Sequence, residues 1–228
     1  MAEITLAKTR TILCEGPADK EFLERLIAQR NLPDFDVLEV RGKDRFGRFL
    51  FGLATNEGIS RVAGILIVSD CDDSAAARFK EIRTQIQEAN RLLEGSSESG
   101  RYGVPDQPLT VARSTEHLPA VVVLMVPWAG EAGNLETLCV SAIYELRPEL
   151  RQCVDDYSDC TKTASTWGLG ALSKMRLQCL IAVTCKTDPN KALRYVWSVD
   201  ECPIRLDSAS FDRLAQFLQE FDAHLSLT

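Results

Sequence analysis

An α/β fold, with a central mostly parallel sheet flanked by helices on both faces and a helical C-terminal portion, is what three features of this sequence predict. Strand-like and helix-like segments alternate over the first 146 residues, the pattern of a sheet wrapped by helices. Two of the strand-like segments, "VAGILIVS" (62–69) and "AVVVLMV" (120–126), are continuously apolar, as central parallel strands covered on both sides are. Beyond residue 146 the chain reads as helical, through 172–183 and 211–225. The organisation expected is therefore an α/β core over 1–146 and a helical extension over 147–228 packed on it.

Residues 9–14 form the first strand, and 17–30 the first helix. Pro17 suits the first helical position, which needs no N–H, and Gly16 caps the turn. Phe22, Leu23, Leu26 and Ile27 make one apolar stripe. A second strand is expected at 35–40, then "RGKDRFGRF" (41–49), a basic loop with interleaved phenylalanines. The apolar run 62–69 ends at Asp70, and the helix after it shows Phe79, Ile82, Ile86, Ala89 and Leu93 on one face. The polar, glycine-rich "EGSSESGRYGVPDQ" (94–107) reads as a flexible loop. After the 120–126 strand comes "PWAGEAGN", then a helix with Leu135, Leu138, Cys139, Ala142 and Leu146 on one side.

Composition narrows the function classes. No apolar stretch approaches the roughly 20 residues that cross a bilayer, and the N-terminus lacks the basic start and apolar block of a secretion signal. The expected location is the cytoplasm. Eight cysteines include no Cys-x-x-Cys pair and are joined by only two histidines, so neither a zinc site nor a His-based catalytic triad has ligands to draw on. Reduced thiols follow. A net charge of −7 speaks against a sequence-blind nucleic-acid coat. It does not speak against nucleic-acid chemistry, because a carboxylate cluster loses its negative charge when it binds a cation.

Carboxylates gather where such a sheet places its sites, outside the carboxyl ends of the strands. Glu15 ends the first strand, with Asp19 in the first turn of the helix. Asp70 and Asp72 leave the central strand. Glu136 opens a helix in "GEAGNLE" (130–136). Hard divalent cations take oxygen ligands, commonly one or two carboxylates with waters and phosphate oxygens. Asp19, Asp73, Ser74 and Glu136 also sit where acids or hydroxyls cap helices, and that role is open to each of them. "ILIVSDCDDS" fits one further pattern, the strand-D-x-D-x-S/T of haloacid-dehalogenase-type phosphatases, in which the first Asp is a nucleophile. Lys174 and the acids Asp155, Asp156 and Asp159 of "VDDYSD" would serve it, though in an order foreign to that family.

Glu15-Gly16 with Asp19, followed by Asp70-Cys71-Asp72, resembles the signature of the TOPRIM domain shared by topoisomerases, bacterial primases and OLD-family nucleases. The likeness is closer to small stand-alone proteins of the DUF3226 type. "DCDDSAAAR" resembles their D-x-D-D-x-x-A-A-R block, 133–138 their G-x-L-E-x-L element, and "LDSASFDRLAQFLQEF" their closing helix, so that it spans roughly 9–222. The resemblance implies phosphodiester chemistry dependent on Mg²⁺ or Mn²⁺. Glu15, Asp19, Asp70, Asp72 and Glu136 would hold metal, with Glu15, Asp70, Asp72 and Lys174 catalytic and Lys174 offsetting transition-state charge. Relatives often place a polar or acidic residue where this chain has Trp128; Glu131 is the substitute at hand.

Arg41, Lys43, Arg45 and Arg48 are the candidate contacts to DNA or RNA, with Phe46 and Phe49 as stacking partners or core residues, and Arg78 and Lys80 as weaker candidates. OLD-type domains commonly work with an ATPase. No Gly-x-x-x-x-Gly-Lys-Ser/Thr loop occurs here, so an ATPase or other defence-system partner is the expected source of any ATP-driven control. From another class comes a catalytically quiet module of the same fold that binds nucleic acid or a protein.

Overall fold

The computed structural model describes residues 4–96, 100–198 and 202–226. Four parallel strands form its sheet: β1 (Arg10–Cys14), β2 (Asp36–Glu39), β3 (Gly64–Asp70) and β4 (Ala120–Val126), in the order β2-β1-β3-β4. The chain steps from β1 outward to β2, then crosses back to lay β3 on the other side of β1. The strand order therefore reverses between β1 and β3, and at such a reversal the connections leave a crevice at the carboxyl edge. Registers of Leu13 with Ile67 and of Asp70 with Val126 bring all these strand ends to one rim.

Side chains alternate between the faces of the sheet and build two cores. Ile12, Leu66, Val68, Val122 and Leu124 point to one face, covered by α1 (Pro17–Gln29) and α4 (Leu135–Leu146). Leu13, Ile65, Ile67, Val121 and Val123 point to the other, covered by α2 (Phe46–Ala54) and α3 (Ala75–Glu94). Fully buried side chains such as Leu26 and Ile82 each contribute about 1.5–3 kcal/mol. The helices beyond α4 are α5 (Glu149–Cys160), the single turn α6 (Thr163–Thr166), α7 (Leu169–Thr184), the single turn α8 (Leu193–Val196), α9 (Asp212–Gln219) and α10 (Phe221–Ser226). Their apolar residues, among them Val154, Leu180, Trp197, Phe211 and Leu218, belong to the first core, together with α1 and α4.

Three local expectations are corrected. "RGKDRFGRF" is not all loop: α2 starts at Phe46, and Phe46, Leu50 and Leu53 are its buried stripe. Gly47, which reads as a loop residue, is there for close approach, since a Cβ would lie 2.5 Å from the Gln85 carbonyl oxygen of α3. The helix expected over 211–225 is two helices, interrupted at Glu220. Leu146, placed on an apolar face, is 47% exposed.

Residues 97–99 of the expected loop lie outside the described residues. The following stretch is tied down: Asn90 exchanges two hydrogen bonds with the Tyr102 backbone (2.8 and 2.9 Å), and the buried Tyr102 hydroxyl donates to the Leu50 carbonyl (2.9 Å). No helix among the described residues is long and apolar enough to cross a membrane.

Candidate functional site

Glu15 is the first residue past β1, where extended Gly16 turns the chain into α1 behind Pro17. Asp19 reaches back to accept the Gly16 N–H (2.9 Å), so it does cap its helix. Asp70 is the last residue of β3, and its Oδ1 accepts the Leu135 N–H (3.0 Å) at the start of α4. That start is fixed by Asn134, whose side chain accepts from Thr137 N (3.2 Å) while its backbone N–H donates to the Thr137 hydroxyl (3.2 Å). Glu136 follows in the first turn. Two helix N-termini and two strand ends thus converge, each furnishing an acid.

Asp19 and Asp70, with Glu15 and Ser69, line a crevice closed by Phe22, Leu23, Val68, Val126, Leu135 and Leu214. Its cavity of about 10 Å³ is the size of one water-sized sphere. Apolar walls make charge costly here. Burial, together with the charges of Glu15 and Glu136, raises Asp19 from 3.8 to about 6, against the opposing Gly16 hydrogen bond and Lys174. Asp70 is pushed well up by burial and then by Asp19, Glu136 and Glu15. Glu136 is raised by burial and by Asp72, while Lys174 opposes. The charges of Glu15 and Glu136 therefore reach both Asp19 and Asp70. Larger grooves, such as one of about 600 Å³ beside Arg25 and Trp197, hold no such cluster.

Glu15 is handled differently. Its Oε1 accepts from the Ser69 hydroxyl (2.5 Å) and from Arg78 Nη2 (3.1 Å), and Arg78 Nε also donates to Ser69 Oγ (3.0 Å). Arg78 is only 4% exposed, and it further donates to the Lys43 carbonyl (2.9 Å) and to Glu81 (2.9 Å). It is an internal brace rather than the nucleic-acid contact that its sequence position suggested. Sequence reasoning missed Ser69 altogether. Its signal was a lone hydroxyl in the apolar run before Asp70.

Asp72 stands apart from this crevice. It adopts φ +48°, its carbonyl accepts the Gly133 N–H (2.8 Å), and its carboxylate faces the first turn of α7 and raises Glu136. That turn is glycine-rich because it is crowded: a Cβ on Gly168 would lie 2.6 Å from Asp73 Oδ2 and one on Gly170 3.3 Å from Asp72 Oδ1. Buried Asn134 joins the two segments, donating to the Gly170 carbonyl (3.2 Å) and accepting from Ser173 (2.7 Å). The same helix carries exposed Lys174, whose charge reaches Asp19 and Glu136.

The remaining candidates divide. Lys43, Arg45 and Arg48 are exposed without an ion-pair partner among the described residues, whereas Arg41 pairs with Glu39 (3.0 Å). Phe46 is fully buried and Phe49 packs against the same core, so neither is free to stack on a base. Glu131 is held by Arg213 (2.7 Å), whose guanidinium lies 4.5 Å from the Trp128 ring centroid, so it does not substitute as an acid of the crevice. Asp155, Asp156 and Asp159 lie on α5, outside the crevice lining, and Asp155 pairs with Arg176 (2.9 Å).

The donor set suits a hard divalent cation in one particular way. Among the described residues no group of three or more His, Cys, Asp or Glu side chains is arranged to hold a metal ion. Asp19 and Asp70 each spend one named oxygen on a backbone N–H. One or two carboxylates completed by water is how Mg²⁺ is commonly bound, and each of these acids keeps one oxygen outside those two hydrogen bonds.

What fold and site define is an all-parallel α/β chain with an acidic crevice at its strand-order reversal. The chain belongs to the family described as "Protein of unknown function (DUF3226)", which matches residues 9–221. Among solved structures it is similar to the C-terminal region of the Xanthomonas campestris pv. campestris OLD protein. The mercury-phased form is 17% identical with a TM-score of 0.38, covering 96% of this chain and 97% of that one. The platinum-phased form is 17% identical with a TM-score of 0.40, covering 96% and 95%. No curated protein matches.

Proposed function

We propose that this chain is a divalent-metal-dependent nuclease, or a nuclease-like effector, hydrolysing phosphodiester bonds of DNA or RNA with Mg²⁺ or Mn²⁺. One observation carries the reading: Asp19, Asp70 and Glu136 are half-buried, mutually repelling acids at the carboxyl edge of a parallel sheet, with Lys174 as the nearby cation. Acids raised by burial and by one another are unfavourable as charges, and a doubly charged ion offsets that cost. The TOPRIM-like order of Glu15, Asp19, Asp70 and Asp72 supports the same reading. When bound, such an ion supplies charge neutralisation on phosphoryl oxygens and lowers the pKa of water.

Asp70 and Asp19 would hold it, with Glu136 and Asp72 on the α7 side. Glu15, braced by Arg78 and Ser69, keeps one oxygen directed by the protein. Lys174 would stabilise negative charge developing on a phosphoryl group, and Lys43, Arg45 and Arg48 would take flanking phosphates. By the same resemblance, ATP-driven control in a phage- or plasmid-defence setting would come from a partner protein.

A catalytically quiet, nucleic-acid-binding module is the second reading, favoured by Glu15 being already committed to Arg78 and Ser69. The phosphatase reading is weaker, because a nucleophilic Asp70 would have to be ionised and open, while burial and three acids oppose its ionisation. Plasmid and single-stranded substrates incubated with Mg²⁺ or Mn²⁺ decide among them. Cleavage should require metal and disappear in Glu15→Gln and Asp70→Asn. Cleavage indifferent to both substitutions would remove the nuclease reading, and turnover of small phosphomonoesters through a phosphorylated Asp70 would install the phosphatase.

A further inference from the structure

The three tryptophans of this chain are placed very differently. Trp197 is buried against Phe22, with ring centroids 5.9 Å apart. Trp128 lies under Arg213 and edge-on to Phe217 at 6.4 Å. Trp167 is 49% exposed, and its ring has no aromatic or cation–π partner among the described residues. An indole left in water at nearly half its surface is an unusual use of so large an apolar group.

Its address explains what it is for. Trp167 directly precedes Gly168, where a Cβ would meet the Asp73 carboxylate, and lies three residues before Gly170, where a Cβ would approach Asp72. Trp167 therefore stands at the lip of the turn that leaves β3, next in the chain to the glycine that faces Asp73. Leu169, 51% exposed, widens the apolar surface beside it. Lys174 lies on the same helix and Lys162 precedes the single turn before it, both exposed and without an ion-pair partner among the described residues. At the Glu15 side of the crevice, Arg78 ties the Lys43 carbonyl to Glu15, which anchors the basic segment carrying Lys43, Arg45 and Arg48 there.

We propose that Trp167 is a stacking platform for an unpaired base and, resting on the nuclease reading, that the preferred substrate is single-stranded nucleic acid. The strand would run from the basic segment, over the carboxylates, to the indole. Every base has a π-face, so one aromatic platform holds any sequence, whereas a duplex keeps its bases stacked on one another and offers none without opening. Lysine charge on both rims complements the phosphates of such a strand; a protein partner docking on the same apolar lip is a competing outcome of the test.

The test uses the full chain as wild type, Trp167→Ala and Trp167→Phe, in EDTA, with a fluorescently labelled oligothymidylate and a blunt duplex of equal length followed by anisotropy. Trp167→Ala should weaken single-strand binding about tenfold and leave duplex binding within about twofold, while Trp167→Phe keeps most of the single-strand affinity. Equal losses on both nucleic acids, or loss on neither, would overturn the platform. So would unchanged affinities accompanied by a difference in oligomeric state between wild type and Trp167→Ala in light scattering, which would assign the lip to protein contact. Cleavage assays separate the two readings. Metal-dependent cleavage that Trp167→Ala leaves untouched on both substrates sinks the platform alone. Single-strand binding that depends on Trp167 without any cleavage sinks the nuclease alone.

Discussion

Glu15 follows β1 and Asp70 ends β3, neighbouring strands of one sheet, yet their surroundings differ sharply. Beside Glu15 stands the buried guanidinium of Arg78 at 3.1 Å, with the Ser69 hydroxyl completing the contact. Around Asp70 are Asp19, Glu136 and Glu15, and the hydrogen bond that opposes them is the Leu135 N–H. One acid has its counter-charge within the fold; the other faces neighbouring acids and a single opposing N–H. The fold thus spends a buried arginine to orient one carboxylate while keeping its neighbours available.

The comparison can be broken at either end. Removing the internal charge should have the largest effect. Arg78→Met leaves Glu15 without its counter-charge and unties the Lys43 carbonyl, and we expect a loss of about 3–5 kcal/mol in urea unfolding. Next in size is a pH effect. Asp19 holds its proton to about 6 in the folded chain, against 3.8 ordinarily. Between those values the folded chain carries a proton that the unfolded chain has released, so metal-free stability should fall as pH rises through the window, by up to roughly 3 kcal/mol. Asp19→Asn, which keeps an acceptor for the Gly16 N–H, should flatten that slope.

Smaller still is Asp70→Asn at neutral pH in EDTA. It removes a repelled charge but preserves an acceptor for Leu135, and should raise Tm by about 2–4 °C, the shift of about 1 kcal/mol in a chain of this size. The smallest effect belongs to an ion pair of the opposite kind. Arg41, 77% exposed beside Glu39, is screened by water, and Arg41→Ala should change stability by under about 0.5 kcal/mol.

How far the sequence discloses these features depends on how local their causes are. The strand at 120–126 is legible to the residue because an unbroken apolar run has one use in such a sheet. Gly16-Pro17 marks the start of α1 for an equally local reason. From strand ends and the helix starts that follow them, the convergence of Glu15, Asp19, Asp70 and Glu136 on one rim follows, once the sheet is parallel.

Where causes are distant, the reading fails. α2 hides because Gly47 belongs to a helix-to-helix approach involving Gln85, and only the partner reveals it. Arg78 looks like a surface cation until α3 is seen to carry it under the β2–α2 loop. Asp72 looks equivalent to Asp70, but its φ of +48° turns it toward α7. Trp167 carries no local signal at all, since the approach of its neighbour Gly168 to Asp73 joins residues far apart in the chain.

The central claim is that the Asp19–Asp70–Glu136 cluster is completed by a divalent cation. Thermal unfolding of wild type and Asp70→Asn, each with EDTA and with Mn²⁺, tests it most directly. The account predicts that Mn²⁺ raises the wild-type Tm, more so at neutral than at acid pH, and leaves Asp70→Asn unmoved. An equal rise in both proteins, or none in either, would contradict it.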